Sequence, residues 1–355
     1  MTCSPDIVQS KTIDWLRFAM AVAVVVIHTG DGGSFSPFPV YSTLSILTAN
    51  GICRIAVPCF FIISGYLFFR HLETWDLNIW KSKMKRRFHS LLIPYLLWNI
   101  IAAIAIIAYS YFRTKAGSVS PNELSEMVSG WGTCLWKIFW NANQGTMPLD
   151  YPLWFMRDLI LFTLVTPLVF LYCKYLKIYG ILLLAILLFS GLSIGRGFWF
   201  FVAGSYMGIH QHNLVSSIKP FKWPALFISV LLLCSLPITF KQTPSLYSYL
   251  LVVFTLSGCI CVFSFVGQGI ERGTLKEHPF LTKSAFIVFA LHGILILDHF
   301  ARFIMLHVTS LRNDLYYCID LFFRPLLTIG ICLGVYWLLH RYLPIATRVL
   351  TGARA

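Results

Sequence analysis

The sequence predicts an all-α, polytopic membrane protein with about ten transmembrane helices. Three observations carry that prediction. Hydrophobic residues make up 57% of the 355-residue chain and charged residues only 12%. Apolar runs of bilayer length recur along it, and the basic residues between those runs alternate between many and few. A soluble domain carries roughly 25% charged residues, and at half that density a water-facing surface could not be covered. With a mean hydropathy of +0.74, the composition also excludes a disordered chain, a coiled coil and a disulfide-stapled secreted fold.

A helix crosses the hydrocarbon layer with about 20 mostly apolar residues. Such runs occupy residues 13–31, 44–69, 88–112, 153–173, 178–194, 196–211, 222–240, 246–267, 281–301 and 317–340. Gly191, Gly195 and Arg196 separate the short fifth and sixth runs. With the N-terminus inside, 18 of the 28 Lys and Arg fall in inside loops and ends, 7 in outside loops, and 3 (Arg54, Arg157 and Arg324) within spans. Positive-inside asymmetry of this size places both termini in the cytoplasm of a cell with this chain in its inner or plasma membrane. The net charge of +14 is then a matter of topology and not of nucleic-acid binding. Residues 18–27 resemble the apolar part of a signal peptide, but HTGDGG follows in place of a small-residue cleavage site, so the stretch stays as the first span. The ten cysteines show no C-x-x-C and no zinc spacing. They read as small core hydrophobes, and no metal site is expected. The chain reads as one membrane-embedded domain over 1–355, with a long extracytoplasmic loop at 113–152 and no appended soluble domain.

Polar residues inside spans are costly and mark candidate sites. Span one, IDWLRFAMAVAVVVIHTG, carries Arg17 and His28. Eleven residues apart, they lie about 20° from register after three turns and about 16 Å apart along the axis. They share one stripe with Ala21 and Val24, and Asp14 is one turn from Arg17. Span two carries Arg54 ahead of Val57-Pro58, where a proline would free a backbone carbonyl, and then Ser64-Gly65-Tyr66 as a close-packing site. Five cations, Lys81, Lys83, Lys85, Arg86 and Arg87, precede span three. They either meet anionic lipid or clamp a phosphorylated cytoplasmic substrate. The 113–152 loop ends in an aromatic patch at Trp131, Trp136, Phe139 and Trp140, suited to an interfacial helix or a lid. Span four opens with Trp154, Arg157 and Asp158. As sequence neighbours the last two project about 100° apart and need not pair. Span nine carries His292 in the middle of its apolar run, with Asp298 and His299 nearer the outer end.

In that order these residues resemble the acyltransferase family 3 of integral membrane proteins, mostly bacterial sugar O-acyltransferases. Arg17-x10-His28 resembles the first-helix signature, VPCFFIISGYLF (57–68) the second-helix block, and the basic run ending at Pro94-Tyr95 the third-helix opening. WFMRDL (154–159) and SAFIVFALH (284–292) resemble two later blocks. The family's Arg-x-x-Arg before Pro-Tyr is departed from, because Ser90 follows Arg87 at the second position, and Gly293 stands where Pro is frequent.

The resemblance implies transfer of an acyl group, most commonly acetyl, from acetyl-CoA to a carbohydrate hydroxyl. It implies His28 as general base or transient acyl carrier, with Arg17 and His292 beside it in the chemistry. Arg17, Lys83, Arg86 and Arg87 would hold the donor, and Arg54, Tyr66, Trp154 and Arg157 the acceptor. The partners expected are that hydroxyl acceptor and membrane lipid. On physics alone, ten spans with buried charges also suit a transporter or flippase for a lipid-linked sugar. The absence of an inverted repeat and the few acidic residues in spans, Asp158, Asp298 and Asp320, lean away from that class.

Overall fold

The structure is a computed structural model that describes residues 4–72, 74–115, 131–142, 147–308 and 312–352. Residues 116–130 and 143–146 of the expected long loop lie outside it. Sixteen α-helices follow in order among the described residues: α1 Pro5–Gly30, α2 Pro39–Leu47, α3 Ala56–Phe69, α4 Leu77–Arg87, α5 Ile93–Lys115, α6 Trp131–Phe139, α7 Trp154–Leu164, α8 Thr166–Leu184, α9 Ser193–Ile209, α10 Leu214–Ile218, α11 Lys222–Gln242, α12 Pro244–Glu271, α13 Pro279–Leu291, α14 Arg302–Val308, α15 Asp314–Tyr342 and α16 Pro344–Leu350. No strand occurs among the described residues. Helix is the expected outcome, because in lipid every backbone N–H and C=O needs a partner within its own segment.

Seven helical segments among the described residues are long and apolar enough to cross a bilayer. The count becomes eight if Pro279–Leu291 and Ile296–His307, bent by 75° at their break, form one span. Ten is therefore not reached by this measure. The run at 153–173 is cut at Val165 into α7 and α8, α7 is only 11 residues long, and α9 is 17. The second run is likewise two helices, α2 and α3, joined by a 3-10 turn over Ile52–Ile55 that carries Arg54. Pro58 sits in the first turn of α3, where its missing N–H would have had no intrahelical partner anyway. No mid-helix carbonyl is freed there.

Helix ends follow their local chemistry. Asp76 caps α4 by accepting from the backbone N–H of Asn78 and Ile79 at 2.6 and 3.1 Å, and Lys85, Arg86 and Arg87 occupy its last turn, where cations suit the helix dipole. Asn313 caps α15, and the Asp314 carboxylate accepts from the N–H of Val40 and Tyr41 at 3.0 and 2.7 Å. That contact pins the start of α2 to the start of α15.

α1 runs through the middle of the bundle, packed against α3, α12, α13 and α15, and Leu16, Ala21 and Val25 on it are fully buried. Among the glycines of the described residues, the tightest backbone approach lies between α3 and α9. A Cβ at Gly65 would meet the Phe201 carbonyl oxygen at 2.1 Å, and one at Gly204 would meet the Ile62 carbonyl oxygen at 2.1 Å. The two helices meet backbone to backbone, as small residues allow in membranes.

Gly204→Val is expected to cost about 1–3 kcal/mol or more, since backbone cannot move aside as a flexible side chain does. Gly330→Ala, where a Cβ meets nothing within 4 Å, should leave the melting temperature of the detergent-purified protein unchanged or slightly raised, since Ala is the better helix former. Equal melting curves for the two variants would contradict the crossing.

Candidate active site

Two cavities lie end to end inside the bundle. One, of about 510 Å³, opens toward the end of the bundle at which α1 finishes, and His28, Arg54, Trp154, Arg157 and Arg196 line it. The other, of about 240 Å³, lies toward the end at which α1 starts, and Arg17, Ser64, Arg87 and Lys283 line it. Phe155 and Phe289 border both. With Phe60 they form an aromatic partition: ring centroids are 5.6 Å apart for Phe60–Phe155, 6.2 Å for Phe60–Phe289 and 6.0 Å for Phe155–Phe289.

The α1 stripe thus serves both spaces. Arg17 and His28 project to the same side of the helix, but into different cavities, and Ala21 between them is packed with 0% exposure. Arg17 donates to Asp14 at 2.6 Å across one turn.

His28 and His292 meet, although 264 positions separate them in the numbering. Their ring centroids are 5.4 Å apart at an interplanar angle of 30°, within water-bridging reach. His292 ends α13, and the chain leaves the helix at Gly293 (φ −59°, ψ −128°) before the π-helical turns that run to Ala301. His292 Nδ1 donates to the Val288 carbonyl at 3.0 Å, and its Nε2 is buried with no hydrogen-bond partner among the described residues. That assignment makes Nε2 the accepting nitrogen. The Tyr151 ring packs edge-on to His28 at 4.8 Å, and its hydroxyl donates to Asp298 at 3.1 Å. Arg324 donates to the Thr29 carbonyl at 3.2 Å and to Asp320 at 2.6 Å, which fixes the backbone next to His28. Behind Tyr151, burial pushes the Asp150 carboxyl well above the usual carboxylate range, favouring its neutral form.

The remaining sequence candidates divide. Arg54 donates to Asn50 at 2.5 Å. Arg157 pairs with its neighbour Asp158, with nitrogen–oxygen distances of 3.0 and 2.8 Å. Sequence neighbours project about 100° apart and need not pair, yet these two do, because the long guanidinium arm folds back to the carboxylate. Trp140 sits over Arg157 with its ring centre 4.9 Å from the guanidinium carbon, and its carbonyl accepts from Arg157 at 3.3 Å, so the aromatic patch contacts a residue that lines this cavity. Tyr66 does not belong with them. It is a buried core residue whose hydroxyl accepts from Gln9 at 2.7 Å near the start of α1, and it lines neither cavity.

Of the four donor candidates, Arg17 and Arg87 line the smaller cavity. Lys83 and Arg86 instead line an adjoining open groove of about 840 Å³ with Arg70, Lys85 and Arg87. Lys83 also donates to the Phe68 carbonyl and Arg87 to that of Ser64. Leu67 and Arg87 border both groove and cavity, joining them. Ser90, the departure from Arg-x-x-Arg, lies where Gly352 approaches its backbone so closely that a Cβ on the glycine would meet Ser90 Cα at 2.6 Å.

Sequence reasoning missed Arg196, Tyr151, the Arg324–Thr29 tie and the aromatic partition. Arg324 carried a usable signal, an Asp320–Arg324 pair four residues apart inside an apolar run. The phenylalanines carried none, since the chain holds 30 of them.

No solved structure matches this chain. The chain is 26% identical over 371 residues to the succinoglycan biosynthesis protein ExoH of Rhizobium meliloti (strain 1021), covering 97% of this chain and 92% of that protein. The family profile described as an acyltransferase domain matches residues 10–341, a region that holds every residue of both cavities. The chain belongs to that family, the acyltransferase family 3 of membrane proteins.

Proposed function

We propose that this chain transfers an acyl group, acetyl in the simplest case, from acyl-CoA to a hydroxyl of a polysaccharide or of a related cell-surface carbohydrate. The observation that carries the proposal is the His28–His292 pair at the base of a large cavity, one aromatic layer from a smaller cationic cavity. The relative named for succinoglycan biosynthesis supplies the acceptor class.

The donor fits the residues present. The groove with Arg70, Lys83, Lys85 and Arg86 suits the phosphates, and the narrow cavity behind Arg87 suits the pantetheine arm. Both termini and the basic groove face the cytoplasm in this reading, consistent with positive-inside asymmetry. The acceptor enters the larger cavity from the opposite face.

His28 is the base. If its N–H is donated to the accepting Nε2 of His292, its second nitrogen is left unprotonated toward the cavity. That nitrogen takes the hydroxyl proton as the oxygen–carbonyl bond forms. The carbon–sulfur bond then breaks, and the thiolate leaves toward Arg17. Phe155 and Phe289 separate the thioester from water in the outer cavity until the acceptor is in place.

His28→Ala should abolish transfer to acceptor while membrane insertion and expression stay intact. Radiolabelled acetyl-CoA supplied to purified protein reads this directly; label reaching acceptor at the wild-type rate would remove His28 from the mechanism. Acceptor crossing a vesicle bilayer unmodified would instead mark a transporter.

Arg17→Ala should raise the KM for acyl-CoA about tenfold or more, the loss expected for a charged hydrogen bond, with a smaller effect on acceptor KM.

Phe289→Ala should raise acceptor-independent thiol release from acyl-CoA, measured with a chromogenic thiol reagent. An unchanged background rate would mean that the partition does not exclude water.

A further inference from the structure

A histidine that acts as base needs one bare nitrogen aimed at the reacting hydroxyl, so its ring must not turn over. In a Ser-His-Asp triad a hydrogen-bonded carboxylate fixes both tautomer and orientation. Among the described residues, no Asp or Glu lines the cavity that His28 faces, and no carboxylate hydrogen bond or ion pair reaches His28. Two rings bear on it instead. One is His292, and the other is Tyr151, edge-on with centroids 4.8 Å apart. Tyr151 lines neither cavity, so it meets His28 outside the space a substrate would fill.

Tyr151 is itself held at both ends. Its hydroxyl donates to Asp298 Oδ2 at 3.1 Å. Its backbone belongs to the 3-10 turn Tyr151–Leu153, and that turn is tied down on each side of it. The Asp150 N–H donates to Asn99 Oδ1 at 3.1 Å, and Pro152 packs on Gly293 so closely that a Cβ there would meet the proline ring at 3.1 Å. A tyrosine pinned at backbone and hydroxyl has both side-chain torsions fixed. His292, Gly293 and Asp298 all belong to the π-helical stretch His292–Ala301. One stretch of chain therefore reaches His28 twice, directly through His292 and indirectly through Asp298 and Tyr151.

We infer that Tyr151, anchored by Asp298, is a positioning residue that holds the His28 ring in one orientation. It acts through His28 and touches neither donor nor acceptor. The role deepens the acyltransferase reading and rests on it for the identity of the reacting nitrogen, whereas the hold on the ring can be read without turnover.

The test uses the full-length protein in nanodiscs with isotope-labelled histidine. The ring-nitrogen resonances of His28, assigned by their loss in His28→Ala, should show a single tautomer in the wild type. Tyr151→Phe and Asp298→Ala cut the same hydrogen bond and keep the aromatic ring, so both should fold. In both, the His28 resonances should broaden or split between two tautomers, and Asp298→Asn, whose amide oxygen still accepts, should restore the single form. In the radiolabelled acetyl-CoA assay each of the first two variants should lower kcat about tenfold with the acetyl-CoA KM held within about twofold, and the double variant should be no slower than either. Wild-type His28 resonances in Tyr151→Phe and Asp298→Ala, or losses in kcat that multiply in the double variant, overturn the role. The expected resonances, with no label reaching acceptor in the wild type, would sink the transferase reading alone and keep the hold of Tyr151 on His28.

Discussion

The contact between His28 and His292 is what the rest of the molecule is arranged to permit. Two imidazoles in an apolar bundle need each other and a polar space, because an unpaired ring nitrogen in hydrocarbon is expensive. α1 and α13 pack side by side so that the rings meet at the point where each helix is about to end. Helix ends release carbonyls, and those carbonyls are dealt with locally: Arg324 takes the one at Thr29, and the π-helical turns after Gly293 redirect the rest. Breaks of this kind at membrane depth are tolerated only where protein or a cavity surrounds them.

Much of this arrangement was legible because a bilayer makes polarity conspicuous. His28, His292, Arg54 and Arg157 each interrupt an apolar run, and each lines the larger cavity or adjoins it. The helices themselves followed from run length, but their interruptions did not. Both breaks carry local signals, Thr166-Pro167 just after Val165 and Asn50-Gly51 just before the 3-10 turn, but a reading by run length alone passes over them. Tyr66 misled because it sits beside a small-residue motif that does matter, Gly65 at the α3–α9 crossing, while its own hydroxyl is spent on Gln9. Arg196 was hidden by its neighbourhood. Between Gly195 and Gly197 at the edge of a short run it reads as a loop cation, and only the packing of α9 on α3 turns it into the cavity.

The two cavities differ in kind as well as in size. The smaller one continues into a basic groove open to solvent, the arrangement expected for a long, phosphorylated ligand that enters end first. The larger one is broad and ringed by aromatic and guanidinium groups, suited to a bulky polar ligand. Phe60, Phe155 and Phe289 come from three different helices, so no single helix controls passage between the spaces. A path through them needs all three rings, or the helices that carry them, to give way together.

Contact through backbone at Gly65 and Gly204 gives α3 and α9 no cushion of side chains between them. The pair is a close-packed unit, with Arg54 just ahead of one member and Arg196 on the other, so the separation of the backbone positions that carry those two side chains is held by main-chain contact. Compliance has to come from elsewhere. The opposite wall, α11 and α12, is a hairpin whose first helix is largely exposed and which contributes Phe240, Tyr247 and Leu251 to the same cavity. On that side the cavity is walled by side chains, which a bulky ligand can displace at far less cost than the main-chain contact of α3 with α9.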